Sequence, residues 1–129
     1  MPKKVLILYT SVGLGHKSIA ENVGYYLRES GYEIRLEDIL KVEAGMLASL
    51  GQSAHRFVIT QMPWLWSTLY QSDLFNKLTL GLRVPLAAKN HAATKAIVDE
   101  YEPDLIVTTQ VTASAVVAYM KRAGLYDGK

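Results

Sequence analysis

Apolar positions along this chain follow two different periods. Residues 4–10 are a β-rich apolar run that reads as a buried first strand, followed by a turn of mostly small residues, Ser11, Val12, Gly13, Leu14, Gly15 and His16. Over 16–30 the spacing of Ile19, Val23, Tyr26 and Leu27 is helical. Ala20 and Gly24 keep that face slim, and Gly31 ends it, which predicts a helix laid against a sheet. Residues 32–37 alternate as a second strand, and Asp38 is placed to cap a short helix reaching about residue 50. The chain then stays mostly helical to Tyr101, with breaks expected at Gly51, Pro63, Gly81 and Pro85. A third strand is expected over 105–109 and a last helix over 112–122 before Gly124. The class is therefore α/β: a Rossmann-like parallel sheet with flanking helices. Its unusual part is a long helical insertion between strands two and three, about residues 39–102, where a crossover needs only about a dozen.

Composition narrows this picture. The 129 residues suit one domain, and the absence of Cys removes disulfide scaffolds, Cys-ligated zinc, iron–sulfur clusters and thiol catalysis, which fits an intracellular setting. No stretch reaches the roughly 18 apolar residues of a membrane span, and the first residues show no signal-peptide cleavage pattern. The net charge of +2 hides a division: residues 1–30 carry +2, 31–50 carry −2, 51–95 carry +4 and 96–129 carry −2. The +4 segment also holds both Trp, both Phe and two of the three His.

Chemistry concentrates in two places. A strand, then Gly13, Leu14, Gly15 and His16, then a helix sets backbone N–H groups and a helix N-terminus at the carboxyl edge of a sheet, where anions bind in α/β folds. The dinucleotide fingerprint is incomplete, since Ser18 holds its third glycine position, and the turn is not a P-loop. Two readings of the glycines stay open, a tight turn alone or a phosphate cradle. His16 likewise reads as a plain polar cap or as a general base, the positive helix end favouring the neutral imidazole that accepts a proton. No pair of His has a ligand spacing, so no metal is expected, and His55 and His91 look solvated or lipid-facing.

The second place is the basic aromatic insertion, with Arg56, Phe57, Trp64, Trp66, Tyr70, Phe75, Lys77 and Arg83. Large apolar side chains beside cations suit the headgroup boundary of an anionic bilayer; an ordinary core for the Trp residues is the competing reading. Nucleic acid fits poorly, because the bases are thinly spread and no recognition-helix pattern or sheet platform appears.

The series formed by the first strand with its Gly-x-Gly-His16 turn, Asp38, residues 63–70 and the Glu102, Pro103, Asp104, Leu105, Ile106 stretch resembles the N-terminal domain of the monogalactosyldiacylglycerol synthase and processive diacylglycerol glucosyltransferase family. These enzymes have the two-domain glycosyltransferase-B architecture, and the resemblance covers nearly all of the chain. It implies an acceptor-side domain of an inverting hexosyltransferase that moves a hexose from a UDP-sugar to diacylglycerol. That family works as a cytoplasmic enzyme, peripheral on the inner face of the cell membrane. By similarity His16 matches the histidine that deprotonates the acceptor hydroxyl. Ser11, Gly13, Gly15, Thr109 and Gln110 fall in the acceptor and phosphate loops, although relatives often carry a His-Pro or Phe-Pro step where this chain has Thr109, Gln110 and Val111. Arg56, Phe57, Trp64, Trp66, Phe75, Lys77 and Arg83 become the membrane face. No cofactor is implied. The UDP-sugar is a co-substrate bound mainly by a C-terminal donor domain that the 129 residues lack, so that half is expected on a longer chain or a separate subunit, and this chain alone is expected to be inactive. A polyprenyl-diphosphate-linked GlcNAc transferase is the alternative enzyme. The alternative outside enzymes is a nucleotide-binding or interaction domain in which Glu37 or Asp38, about 22 residues past the turn, holds a ribose.

Overall fold

Val5, Leu6, Ile7 and Leu8 are each at most 1% exposed, and this central strand organises the fold. A computed structural model describes residues 1–11, 14–39, 41 and 46–129, giving the backbone alone at 14, 46–52, 55, 79–80 and 82–90. The elements are β1 (Lys4–Tyr9), α1 (Leu14–Glu29), β2 (Glu33–Asp38), α2 (Met46–Gln61), α3 (Pro63–Gln71), α4 (Asp73–Tyr101), β3 (Leu105–Thr108) and α5 (Val111–Arg122). The three strands form one all-parallel sheet in the order β2-β1-β3, with Ile7 opposite Leu36 on one side and Val107 on the other. The expected α/β class and parallel sheet are thus present.

Strand alternation divides the core into two layers. Val5 and Ile7 pack with Ala20 of α1, together with Val23, Leu27, Ile34 and Leu36. Leu6 and Leu8 face the opposite way, into Ile39, Val98, Ile106, Ala113, Val116 and Met120. A parallel strand buried on both faces must be apolar at every position, and the run read from sequence satisfies that. Each such side chain removed from water contributes about 1.5–3 kcal/mol.

The buried face of α1 is narrower than its apolar spacing predicts. Ala20, Val23, Gly24 and Leu27 lie against the sheet, while Ile19 and Tyr26 are 53% and 70% exposed. The reason is Gly24: a methyl group there would meet the Leu36 Cδ1 at 3.2 Å, so the helix lies low over β1 and β2 on its small residues. Ile19 and Tyr26 are thereby rotated out to solvent.

Helix boundaries also differ from expectation. Pro63 does open a helix, standing at the start of α3 where a missing N–H withdraws no bond. Gly51 lies within α2, and α4 runs unbroken through Gly81 and Pro85 over its 29 residues. A glycine costs a helix interior about 1 kcal/mol and a proline about 3 kcal/mol, local penalties that a long continuous helix absorbs. Ser72 caps the amino end of α4, its Oγ accepting the Phe75 N–H, and Glu102 ends it in the left-handed region at φ 51°. Asp38 is the last residue of β2 and Ile39 directly after it is helical, which leaves Asp38 at the capping position expected for it; residues 40 and 42–45 lie outside the described residues. Gly124, at φ 69°, closes α5, with the Leu125 N–H returning to the Met120 carbonyl at 2.8 Å as in a Schellman turn.

The last turns of α4 and all of α5 cover one face of the sheet, and of the insertion it is the two ends, Ile39 and Val98, that enter the core. No described side chain between Ser53 and Leu78 is buried. Among the described residues no helix is long and apolar enough to cross a membrane. The close approach at Gly24 makes a direct prediction: Gly24→Leu forces α1 off the sheet and lowers stability to urea unfolding by about 1–3 kcal/mol. An unchanged midpoint would mean that α1 does not lie this close.

Candidate functional site

Because all three strands run the same way, their carboxyl ends share one edge, and the loops that follow them meet there. Ser11, half-buried just beyond β1, donates its backbone N–H to the Asp38 Oδ1 at 3.3 Å, which ties the loop to the end of β2. Asp38 is buried. Gly13 lies outside the described residues. Gly15 falls in the first turn of α1 with an ordinary helical backbone, and a Cβ there would meet nothing within 4 Å. Packing therefore does not require glycine at 15. What its missing side chain does is leave the first turn of α1 bare.

His16 is half-buried one position further on. Its Nδ1 lies 2.9 Å from the Thr109 backbone carbonyl, and the Thr109 hydroxyl donates to the His16 carbonyl at 3.1 Å. A carbonyl only accepts, so Nδ1 carries the proton in this contact. In the neutral ring Nε2 is then the lone-pair nitrogen, and it has no hydrogen-bond partner among the described residues. Thr109 itself extends the ladder past β3, its N–H reaching the Leu8 carbonyl at 3.2 Å. The imidazole is thus held by the residue that follows the neighbouring strand β3.

Gln110, which the resemblance sets in the acceptor and phosphate loops, has its side chain engaged with the helix that follows. It is the N-cap of α5, with Oε1 accepting from the Thr112 N–H at 2.6 Å and the Ala113 N–H at 3.4 Å. Those are the donors that an anion at this helix end would use, and the amide oxygen already occupies them. Next to it the Thr108 and Ser114 hydroxyls are paired at 2.7 Å. Tyr9, at the end of β1, has its phenol pushed above the ordinary value by burial and then by the Asp38 carboxylate, so it stays neutral and offers no second base.

The residues of the second region lie on three successive helices. Arg56 and Phe57 are on α2, Trp64 and Trp66 on α3, and Phe75, Lys77 and Arg83 on α4, the Arg83 side chain lying outside the description. Phe57 and Trp64 are 59% and 65% exposed, and Tyr70, Leu74 and Leu78 are similarly bare. Trp66 is half-buried against the Tyr70 ring, 6.3 Å between centroids, and Phe75 is half-buried too. The core reading of the tryptophans therefore fails for Trp64 and holds only in part for Trp66. His91, read as solvated or lipid-facing, instead packs its ring 5.0 Å from that of Tyr119 on α5, because α4 continues unbroken onto the sheet layer. The His55 side chain is outside the description. Among the described residues no three His, Asp or Glu side chains are grouped to hold a metal ion.

The part played by Asp38 in fixing the loop was not foreseen; its place at the end of the strand next to β1 was the available signal. Comparison of the chain with protein-family models, with curated proteins and with solved structures gives no match. The cap geometry yields its own expectation. Gln110→Ala, which strips two N–H groups of their acceptor, lowers stability by about 1 kcal/mol, and Gln110→Ser restores most of it, both read by urea unfolding. Equal stability of the Ala variant and wild type would show that the cap contributes nothing.

Proposed function

We propose that this chain is the acceptor-side domain of an inverting glycolipid glycosyltransferase, in which His16 takes the proton of a lipid hydroxyl as the hexose leaves a UDP-sugar. The observation that carries the reading is the His16 imidazole at the carboxyl edge of the sheet, held through Nδ1 by the Thr109 carbonyl with Nε2 left to act as a base. A general base must present a lone pair within hydrogen-bonding reach of the acceptor oxygen, and this arrangement leaves one nitrogen for that role. The bare first turn at Gly15 gives the reacting groups room to approach, and the N–H groups of that turn suit the charge of a departing diphosphate.

The insertion supports a lipid as acceptor. Phe57, Trp64, Tyr70, Leu74 and Leu78 stand exposed within the segment of net charge +4, the combination that docks helices at an anionic headgroup boundary. Diacylglycerol is the acceptor and the cytoplasmic face of the cell membrane the place of reaction. The step is a single displacement. The acceptor oxygen bonds to the anomeric carbon, its proton passes to Nε2, and the bond from that carbon to the UDP oxygen breaks as the sugar gains oxocarbenium character. UDP leaves with the electron pair.

Donor binding belongs to a nucleotide-sugar-binding half, carried on the same chain or on a partner subunit. In a protein that combines this chain with such a half, transfer of labelled hexose to diacylglycerol vesicles tests the reading. His16→Ala lowers kcat by about 10²–10⁴-fold and leaves the KM for the UDP-sugar close to wild type. A near-normal kcat removes His16 from the base role, and transfer to a polyprenyl diphosphate instead of diacylglycerol replaces the acceptor.

A further inference from the structure

We infer that Thr109 is a positioning residue whose backbone carbonyl and hydroxyl together lock His16 into the tautomer with the proton on Nδ1. The inference deepens the proposed function and rests on it for its catalytic meaning, but the lock itself is a property of the chain. Thr109 and His16 are 93 residues apart and are joined twice, by Nδ1–H to the Thr109 carbonyl at 2.9 Å and by the Thr109 hydroxyl to the His16 carbonyl at 3.1 Å. The two bonds run in opposite directions between the same two residues, so they close a ring. A third bond, Thr109 N–H to the Leu8 carbonyl at 3.2 Å, anchors that ring to β1.

Each bond has a separate task. The carbonyl selects the tautomer, because an acceptor opposite Nδ1 leaves the alternative form, with its proton on Nε2, with two lone pairs facing each other. The hydroxyl selects nothing, yet it sets the separation between the first turn of α1 and the end of β3, and so keeps the carbonyl within reach of the ring. A Cβ at Gly15, the preceding position, would meet nothing within 4 Å, so packing at that residue does not set the separation. Gln110, the next residue, is bound to the N-terminus of α5, which fixes Thr109 from its far side as well. Thr109, which the family resemblance sets in the acceptor loop, thus acts on the histidine.

The test is the protonation state of the two His16 ring nitrogens, read by long-range proton–nitrogen correlation on the labelled chain at alkaline pH, with the His16 signals assigned by their loss in His16→Gln. Wild type shows the proton on Nδ1. Thr109→Val removes the hydroxyl at nearly constant shape and raises the Nε2–H to Nδ1–H ratio roughly fivefold, the weight of one ordinary hydrogen bond. Thr109→Ser keeps the hydroxyl and the wild-type ratio. A wild-type ring protonated mainly on Nε2 overturns the lock, as does a Thr109→Val ratio equal to wild type. Should Thr109→Val fail to fold, the wild-type and Thr109→Ser spectra still decide the tautomer. A shifted ratio in Thr109→Val combined with undiminished sugar transfer by His16→Ala would leave the lock standing and reject the base role, so the two readings fail separately.

Discussion

The parallel pairing of β1 with a neighbour on each side is the constraint from which the rest of the chain follows. In an all-parallel sheet the crossover helices cover both faces of the central strand, and here Val5 and Ile7 go to α1 while Leu6 and Leu8 go to α4 and α5. Parallel pairing also sends all three strands toward one edge. His16 after β1, Asp38 ending β2 and Thr109 after β3 are therefore neighbours in space, however far apart in the chain. Neither the Ser11 to Asp38 bond nor the paired His16 and Thr109 bonds would exist in an antiparallel arrangement of the same segments.

The two parts of the chain solve opposite problems. The sheet and its helices bury apolar surface until Leu6, Ile7, Ala113 and Met120 have none left in water. From Ser53 to Leu78 the described side chains do the reverse, keeping Phe57, Trp64, Tyr70 and Leu74 outward with Arg56 and Lys77 flanking them. Side chains that stay unburied, as the described ones of this arm do, gain little from folding onto their own protein, so the apolar ones are available to another apolar phase. In the proposed function that phase is the bilayer, and the arm brings the lipid to the edge where His16 stands. The continuity of α4 from Asp73 to Tyr101 joins arm to sheet mechanically.

What was legible in the sequence was what depends on local pattern. The apolar run of β1, the alternation of β2, the glycine stops at Gly31 and Gly124 and the proline start of α3 all express short-range rules, and each appears within a residue or two of its expected place. Spacing misassigned Ile19 and Tyr26 to the core because the depth at which α1 sits is decided by Gly24 against Leu36, a contact between elements. Gly51, Gly81 and Pro85 looked like breaks because a residue's propensity is weighed locally, whereas a helix ends only where the sum over its length turns unfavourable. The roles of Asp38, Thr109 and Gln110 were hidden for a similar reason. Each depends on which backbone groups come within 3.5 Å after the sheet has formed, and Thr109 meets its partner across 93 residues. His16 itself was visible, since a titratable ring following two glycines at a strand-to-helix turn is a local signal.

The central claim is that a lipid acceptor is held between the helical arm and the carboxyl edge of the sheet. It is tested most directly by photocrosslinking the chain with a diacylglycerol carrying a light-activated group near its free hydroxyl, presented in anionic vesicles, followed by mapping of the labelled peptides. The account predicts label concentrated in peptides from residues 11–19 and 53–78, displaced by unlabelled diacylglycerol and reduced by Phe57→Ala together with Trp64→Ala. Label spread evenly over the chain, or unaffected by unlabelled diacylglycerol, would contradict it.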